Sequence, residues 1–249
     1  MVLLAQISDL HLNGGERAHG RVTRVMDHLR ALPRQPDALL VTGDIADHGA
    51  EAEYEEAAEL FAAPFPVLTC PGNHDHRAAY RKVLLGEPPS DEPVNRLHEI
   101  AGIAVLTVDS TIPGRNEGVL APATLDWMRD ALRGLGGEVP VLVAFHQPPV
   151  AIHHPVADTM GLQQPEDLAA VMAAHPEIAA VLTGHVHSPG ASVFAGRPVV
   201  TGPAVDSTIR LGWEDQDVWT DYDAPPGVAF HALGEDRRLM THFRVVYGG

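Results

Sequence analysis

Hydrophobic positions along this chain follow two spacings in turn. Residues 2–7, 37–41 and 65–70 are short, continuous, β-rich runs of strand length. Between the first two, Val22, Val25, Met26, Leu29 and Leu32 recur at helical spacing, predicting a helix over 21–32 that Pro33 and Pro36 end. Residues 49–62 are rich in Ala and Glu and predict a surface helix whose glutamates form a solvated face. Residues 77–85 predict a third helix. This βαβαβ alternation predicts a parallel sheet with right-handed crossovers.

The pattern repeats further on. Residues 86–93 predict a loop, 103–109 a buried strand, and Leu125, Met128, Leu132 and Leu135 the inner stripe of a helix opened by Pro122 and stopped by Gly134, Gly136 and Gly137. Strands are expected over 139–145 and 178–182, with a helix over 165–175 between them. Beyond Pro189 the runs shorten to 191–195, 198–201, 228–232 and 239–246, separated by Gly and Pro, which predicts antiparallel strands forming a sheet of their own. Residues 213–223 are acidic and aromatic and predict a surface excursion. No repeat or linker marks a boundary, so residues 1–249 read as one α/β domain with a β-rich C-terminal portion from about 190.

Composition narrows the partners. A chain of 249 residues, 45% hydrophobic, can build the core of one large α/β domain. A formal net charge of -16 argues against a nucleic acid polymer or an anionic membrane as partner. An anionic small molecule then requires local positive charge, for which metal ions are the candidates. Cys70 is the only cysteine, so neither an intramolecular disulfide nor a zinc-thiolate cluster is expected, and Cys70 reads as a small core residue. Residues 1–8 lack a basic segment and a small-residue cleavage site, and Asp9 interrupts them far short of membrane-spanning length; a cytoplasmic protein is expected.

The chemistry collects where the strands end. Ser8-Asp9-Leu10-His11, Thr42-Gly43-Asp44-Ile45-Ala46-Asp47, Pro71-Gly72-Asn73-His74-Asp75-His76, His146-Gln147-Pro148-Pro149 and Thr183-Gly184-His185-Val186-His187 each follow an apolar run. One histidine closing a strand is commonplace. Five polar clusters at the carboxyl ends of parallel strands converge where open α/β sheets bind ligands. Asp9, His11, Asp44, Asn73, His146, His185 and His187 offer oxygen and nitrogen donors without sulfur, a set that suits Zn, Mn or Fe. Asp9 and His11, two apart, point the same way if the extended conformation persists.

Taken in order, Asp9-x-His11, Gly43-Asp44-x-x-Asp47, Gly72-Asn73-His74-Asp75, His146 and Gly184-His185-x-His187 resemble the five motifs of the calcineurin-like metallophosphoesterases. The resemblance implies a four-layer α-β-β-α sandwich with two divalent or mixed-valence metal ions (Mn, Fe or Zn) at the top of its two sheets. One ion would take Asp9, His11, Asp44 and His187, the other Asp44, Asn73, His146 and His185, with Asp44 bridging. It further implies hydrolysis by a hydroxide held between the metals, with His74 as electrostatic stabiliser or general acid and Asp47 orienting it. Asp75 is expected to cap the following helix.

Within that family, the absence of a tyrosine at position 47 speaks against the purple acid phosphatase branch, and Asp75 departs from the glutamate of protein Ser/Thr phosphatases. Compact length, Pro148-Pro149 after His146, and Asp158-x-x-Gly161-Leu162 resemble the bacterial class III cyclic nucleotide phosphodiesterase and glycerophosphodiesterase branch. Gln147 stands where that branch often has a second histidine. The resemblance implies hydrolysis of small-molecule phosphodiesters, 3′,5′-cyclic nucleotides first. A glycerophosphodiesterase, a broad phosphomonoesterase or a nucleotide pyrophosphatase are alternatives. A non-catalytic scaffold is a further one, which the retention of every expected ligand disfavours. His76, His153, His154, Arg77, Arg115 and Arg210 are candidate substrate contacts at the rim, and the β-rich end leaves room for a homo-oligomer without requiring one.

Overall fold

The computed structural model describes residues 1–214 and 217–248. Strand β1 (Val2–Ile7) leads into helix α1 (Glu16–Arg30), followed by β2 (Ala38–Thr42), α2 (Glu51–Leu60), β3 (Val67–Cys70) and a short α3 (Arg77–Tyr80) that continues as a wider turn over Arg81–Leu85. A hairpin of β4 (Arg96–Ile100) and β5 (Ile103–Thr107) comes next, then β6 (Gly118–Val119), α4 (Pro122–Gly134), β7 (Val141–Ala144), β8 (Leu162–Gln163), α5 (Pro165–Ala174) and β9 (Ile178–Thr183). The chain finishes through β10 (Gly190–Phe194), β11 (Arg197–Thr201), β12 (Thr208–Ile209), β13 (Thr220–Asp221), β14 (Gly227–Leu233) and β15 (Leu239–Val245).

Two large sheets result, β15-β14-β1-β2-β3 and β10-β11-β9-β7-β5-β4. The βαβαβ expectation holds, since β1, β2 and β3 are parallel neighbours. Three apolar layers separate four structural layers. Val22, Val25, Met26 and Leu29 of α1 pack on Ile7, Leu39 and Val41 outside the first sheet. Leu125, Met128 and Leu132 of α4 and Leu168 and Val171 of α5 cover the second sheet with Leu106 and Val143. Between the sheets, Leu4, Leu40 and Leu68 meet Val105, Leu142 and Leu182. This is the four-layer α-β-β-α sandwich. Because both faces of β2, β5 and β7 are buried, their sequences are continuous apolar runs instead of alternating ones.

Two expectations need correction. The strands beyond Pro189 do not form a separate sheet: β11 joins β9 in parallel and β10 follows it, whereas β14 returns to pair antiparallel with β1, carrying β15. The edge of a buried parallel strand exposes unpaired N–H and C=O groups that must find a partner, and β14 supplies it. The glutamates of α2 are also not all solvated. Glu53 is buried, its carboxylate accepting from the amides of His48 (3.0 Å) and Ala50 (3.1 Å), so it closes the N-terminus of its own helix. Cys70 is buried and free, as expected of a core residue. Of the excursion at 213–223, residues 215 and 216 lie outside the described residues, while Trp213, Val218 and Tyr222 are exposed.

One polar chain crosses the layer between the sheets. Thr241 Oγ1 meets His231 Nδ1 at 2.8 Å, His231 Nε2 donates to Gln6 Oε1 at 2.8 Å, and Gln6 Nε2 donates to Thr183 O at 2.9 Å and Thr42 Oγ1 at 3.0 Å. The neutral imidazole is thereby satisfied as one donor and one acceptor, and burial pushes its pKa from 6.5 down to about 3. Between those values the unfolded chain binds a proton that the native state refuses. The stability contribution is therefore complete above pH 6.5 and is lost as pH falls from 6.5 towards 3, by at most about 1.4 kcal/mol per pH unit. Urea unfolding at pH 7, 6 and 5 should show the wild type losing more stability per pH unit on acidification than His231→Gln; equal slopes for the two proteins would reject the assignment.

Candidate metal centre

Backbone geometry at the strand ends is unusual. Asp9, His11, Asp44, His185 and His187 all have positive φ, at 52°, 46°, 49°, 70° and 48°. Non-glycine residues avoid this region, at a cost of roughly 1–3 kcal/mol each, unless their surroundings hold them. Asp9 and His11 thus approach one site through tight left-handed turns and not through extended backbone. Leu10 and Leu12, fully buried, root the turn in the outer core. The amides of Leu10 and His11 donate to Asp44 O (2.8 and 3.0 Å), Leu12 N donates to Ile45 O, and Asp47 N donates back to Leu12 O. The first two motifs are therefore one interlocked unit.

Two glycines permit this closeness. A Cβ on Gly43, whose φ is +90°, would lie 2.4 Å from His146 Nδ1, and one on Gly72 would lie 2.2 Å from Asp44 Oδ1. Beside them, the Asp75 carboxylate accepts from the amides of Gly72 (2.8 Å), Ile45 (3.2 Å) and Ala46 (3.1 Å). It therefore ties the second motif to the third and does not cap α3, whose N-cap is His76 with no side-chain bond. Burial and the neighbouring Asp44 charge push the Asp75 pKa up to about 6.

Three overlapping sets, Asp9/His11/His187, His11/Asp44/His74 and Asp44/His146/His185, each bring donor atoms within 4.8 Å of one another. His11 Nε2 faces His187 Nε2 at 3.2 Å; His146 Nε2 lies 3.2 Å from Asp44 Oδ2, 3.2 Å from His185 Nδ1 and 3.1 Å from Asn73 Oδ1. The far side of three of the four rings is fixed: His11 Nδ1 by Asp47 Oδ1 (2.9 Å), His146 Nδ1 by Thr42 O (2.7 Å) and His187 Nδ1 by Ser207 Oγ (3.0 Å). Such outer bonds turn the remaining nitrogen inward. Asp9 Oδ1 and His185 Nε2 are buried without a hydrogen-bond partner, and the Asp9 oxygen is 3.4 Å from His187 Nε2. Convergent oxygen and imidazole donors with an orphaned carboxylate oxygen fit first-row divalent ions.

Electrostatics follow the same crowding. Burial lowers the His146 and His11 pKa values, but Asp44 and Asp9, with Asp47 for His11, outweigh it and bring both up to about 9. Burial and the adjacent His146 push His185 down to about 4. Asp44 is held well below the ordinary carboxylate range, because His146 and His11 overcome its burial.

These residues form the floor of a cleft of 620 Å³, with Asp9 and His146 fully buried beneath it. His74 lies at the open side, its Nδ1 donating to the backbone carbonyl of Asp47 (2.8 Å) and its ring 4.7 Å edge-on from His11. The Asp47 carboxylate, expected on His74, instead holds His11 and stays 3.6 Å from His74 Nδ1.

Most rim candidates fall elsewhere. Arg77 pairs with the buried Asp109 (2.8 Å), Arg115 with Glu117, and Arg210 with Asp221 (3.1 Å). His153 lines a separate cavity, His76 packs beside Gly49, and His154 is buried with its Nδ1 accepting from the amides of Val156 and Ala157. Gln147 is buried, accepting from Ser110 Oγ (2.6 Å) and donating to Asn116 O (3.2 Å). The cleft instead adds Arg17, Asn116, Asp206, Ile209 and Tyr222, which the sequence did not single out. Only Asp206 carried a usable signal, as an acid just beyond an apolar run.

A methyl group at position 72 should displace the Asp44 carboxylate. Gly72→Ala is expected to cost about 1–3 kcal/mol of stability. Gly20→Ala, in α1 with nothing within 4 Å of the added methyl, should stabilise by up to about 1 kcal/mol. Paired denaturant melts measure both, and equal effects would contradict the close approach.

The sequence pattern of the calcineurin-like phosphoesterases matches residues 2–189. A probable cyclic nucleotide phosphodiesterase of Rhodococcus erythropolis is 36% identical over 85% of this chain and 73% of its own length. A glycerophosphodiester phosphodiesterase of Enterobacter lignolyticus is 27% identical over 100% of this chain and 93% of its own. A dimetal phosphatase from Danio rerio shares the fold, with a TM-score of 0.71 over 99% of each chain at 15% identity. The chain therefore belongs to the calcineurin-like phosphoesterases, a family of metal-dependent hydrolases of phosphoric esters.

Proposed function

We propose that this chain hydrolyses small-molecule phosphodiesters at the cleft above Asp44, with 3′,5′-cyclic nucleotides as the preferred class. The observation that carries the reading is the position of Asp44, whose carboxylate groups with His11 and His74 on one side and with His146 and His185 on the other, at the floor of the cleft. The likeness to a probable cyclic nucleotide phosphodiesterase supports the choice of substrate.

Asp9, His11, Asp44 and His187 would hold one metal ion, and Asp44, Asn73, His146 and His185 the other. When bound, two such cations supply an activated water and neutralise the phosphoryl oxygens. The carboxylate of Asp44 suits the shared post because it has two oxygens. Asp47 keeps the inward nitrogen of His11 in place, and Thr42 and Ser207 do the same for His146 and His187. With Nδ1 donating to the Asp47 carbonyl, Nε2 of His74 is left for the leaving oxygen, and it is the imidazolium form that carries the proton this oxygen takes. Mn, Fe and Zn all accept these donors. Among the described residues no helix is long and apolar enough to cross a membrane. Glycerophosphodiesters are the second reading, favoured by the end-to-end match to the Enterobacter enzyme.

Hydrolysis of cyclic AMP, glycerophosphodiesters and bis-para-nitrophenyl phosphate, by protein stripped of metal and resupplied with Mn, Fe or Zn, decides between them. Turnover should return with metal and be fastest on cyclic AMP; no turnover of any diester with two ions bound would reject the proposal. Asp44→Ala should lose both metal and activity. His74→Ala should keep the metal and slow turnover by roughly 10²- to 10⁴-fold; metal loss in that variant, read by elemental analysis, would remove His74 from its role.

A further inference from the structure

One wall of the cleft comes from a segment beyond β11, described over 205–214 and 217–224, which contributes Asp206, Ser207, Ile209, Thr220 and Tyr222; its first stem is bonded to the candidate ligand loops, Asp206 N donating to Asp9 O (3.0 Å) and Ile209 N to His187 O (3.2 Å). Two arginines one turn apart on α1 hold both of its stems. Arg17 donates to Asp206 Oδ1 (2.5 Å) and Asp206 O (2.6 Å) on the first stem and to Tyr222 O (2.8 Å) on the second, with its guanidinium 5.1 Å from the Tyr222 ring centre. Arg21, only 8% exposed, donates to Val205 O (2.6 Å) on the first stem and to Ala224 O (2.6 Å) on the second.

Neither the helix nor the apolar core accounts for this arrangement. Cations in the first turns of a helix oppose its dipole, and burying Arg21 near Arg17 adds repulsion and desolvation. The backbone carbonyls of the two stems offset that cost. The same bonds fix the wall in place before any ligand arrives, which reduces the ordering cost of binding.

We propose that Arg21, acting with Arg17, is a positioning residue for substrate: it holds the wall that receives the organic group attached to the phosphate and has no part in the cleavage step. This rests on the reading of the cleft as the phosphodiester site. Arg21 touches no metal ligand, and the bonds that join the first stem to the floor, Val205 N to Ser8 O, Asp206 N to Asp9 O and His187 Nδ1 with Ser207 Oγ, do not involve it, so its loss should alter what the wall binds more than it alters the floor.

The test compares Arg21→Met with the wild type, both metal-loaded, for equilibrium binding of 5′-AMP and of inorganic phosphate, together with amide hydrogen exchange. Binding of 5′-AMP should weaken on the order of tenfold while phosphate stays within about twofold, and exchange should rise only over 205–211 and 217–224. Equal weakening of both ligands, unchanged 5′-AMP binding, or a uniform rise in exchange would overturn the proposal. So would wild-type protein that binds 5′-AMP no more tightly than phosphate. Should Arg21→Met fail to fold, Ile209→Ala and Tyr222→Ala must reproduce the selective loss, and retention of 5′-AMP binding in both overturns it. Wild-type protein that binds 5′-AMP selectively but does not hydrolyse cyclic AMP would reject the substrate reading and leave the wall standing.

Discussion

The close approach of backbone around Asp44 is the constraint on which the rest of the site depends. Its carbonyl accepts from Leu10 and His11, its carboxylate accepts from the His74 amide at 2.9 Å, and no Cβ fits on Gly43 or Gly72 beside it. Five of the converging residues sit in left-handed backbone, which isolated loops would relax. They persist because buried Leu10, Leu12, Ile45 and Val186 lie between or beside them, and burying such a side chain contributes about 1.5–3 kcal/mol. Strain in the ligand loops and packing in the first outer core are thus two sides of one arrangement.

The sandwich makes that arrangement possible by bringing together residues from both sheets. Asp9, Asp44 and Asn73 follow β1, β2 and β3, whereas His146 and His185 follow β7 and β9 of the other sheet. Contact between them requires that the sheets be held in register across their shared layer. Apolar packing of Leu40, Val105 and Leu142 does most of this without direction. The chain Thr241-His231-Gln6-Thr183 adds direction, because a hydrogen bond from β1 to β9 has only one satisfactory alignment.

Charge is distributed with the same economy. The chain is strongly acidic, yet carboxylates in and around the site have an assigned neighbour: the half-buried Asp47 faces His11, buried Asp75 faces three amides, and buried Asp109 faces Arg77. Asp9 Oδ1 is the exception that aims at the convergence of imidazoles. The arginines of α1 tie down the cleft wall that follows β11, so one helix borders both the loop of Asp9 and His11 and that wall.

Periodicity alone determined most strands and helices up to β9, because continuous apolar runs and helical spacing are local properties of the chain; the half-exposed strand β4 and the two-residue β6 and β8 carry no such run. The motifs determined which residues gather, since donor atoms placed after parallel strands share one end of a sheet. Where β14 and β15 would pair was decided only in three dimensions, since the open edge of β1 is not written in their sequence. The roles of Asp47, Asp75 and Glu53 were likewise decided there. An acidic side chain near a helix start has several amides and imidazoles within reach, and tertiary packing selects among them. Arg17, Ile209 and Tyr222 carry no local signal, for a cleft wall assembled from segments about 200 residues apart exists only once the sheets have closed.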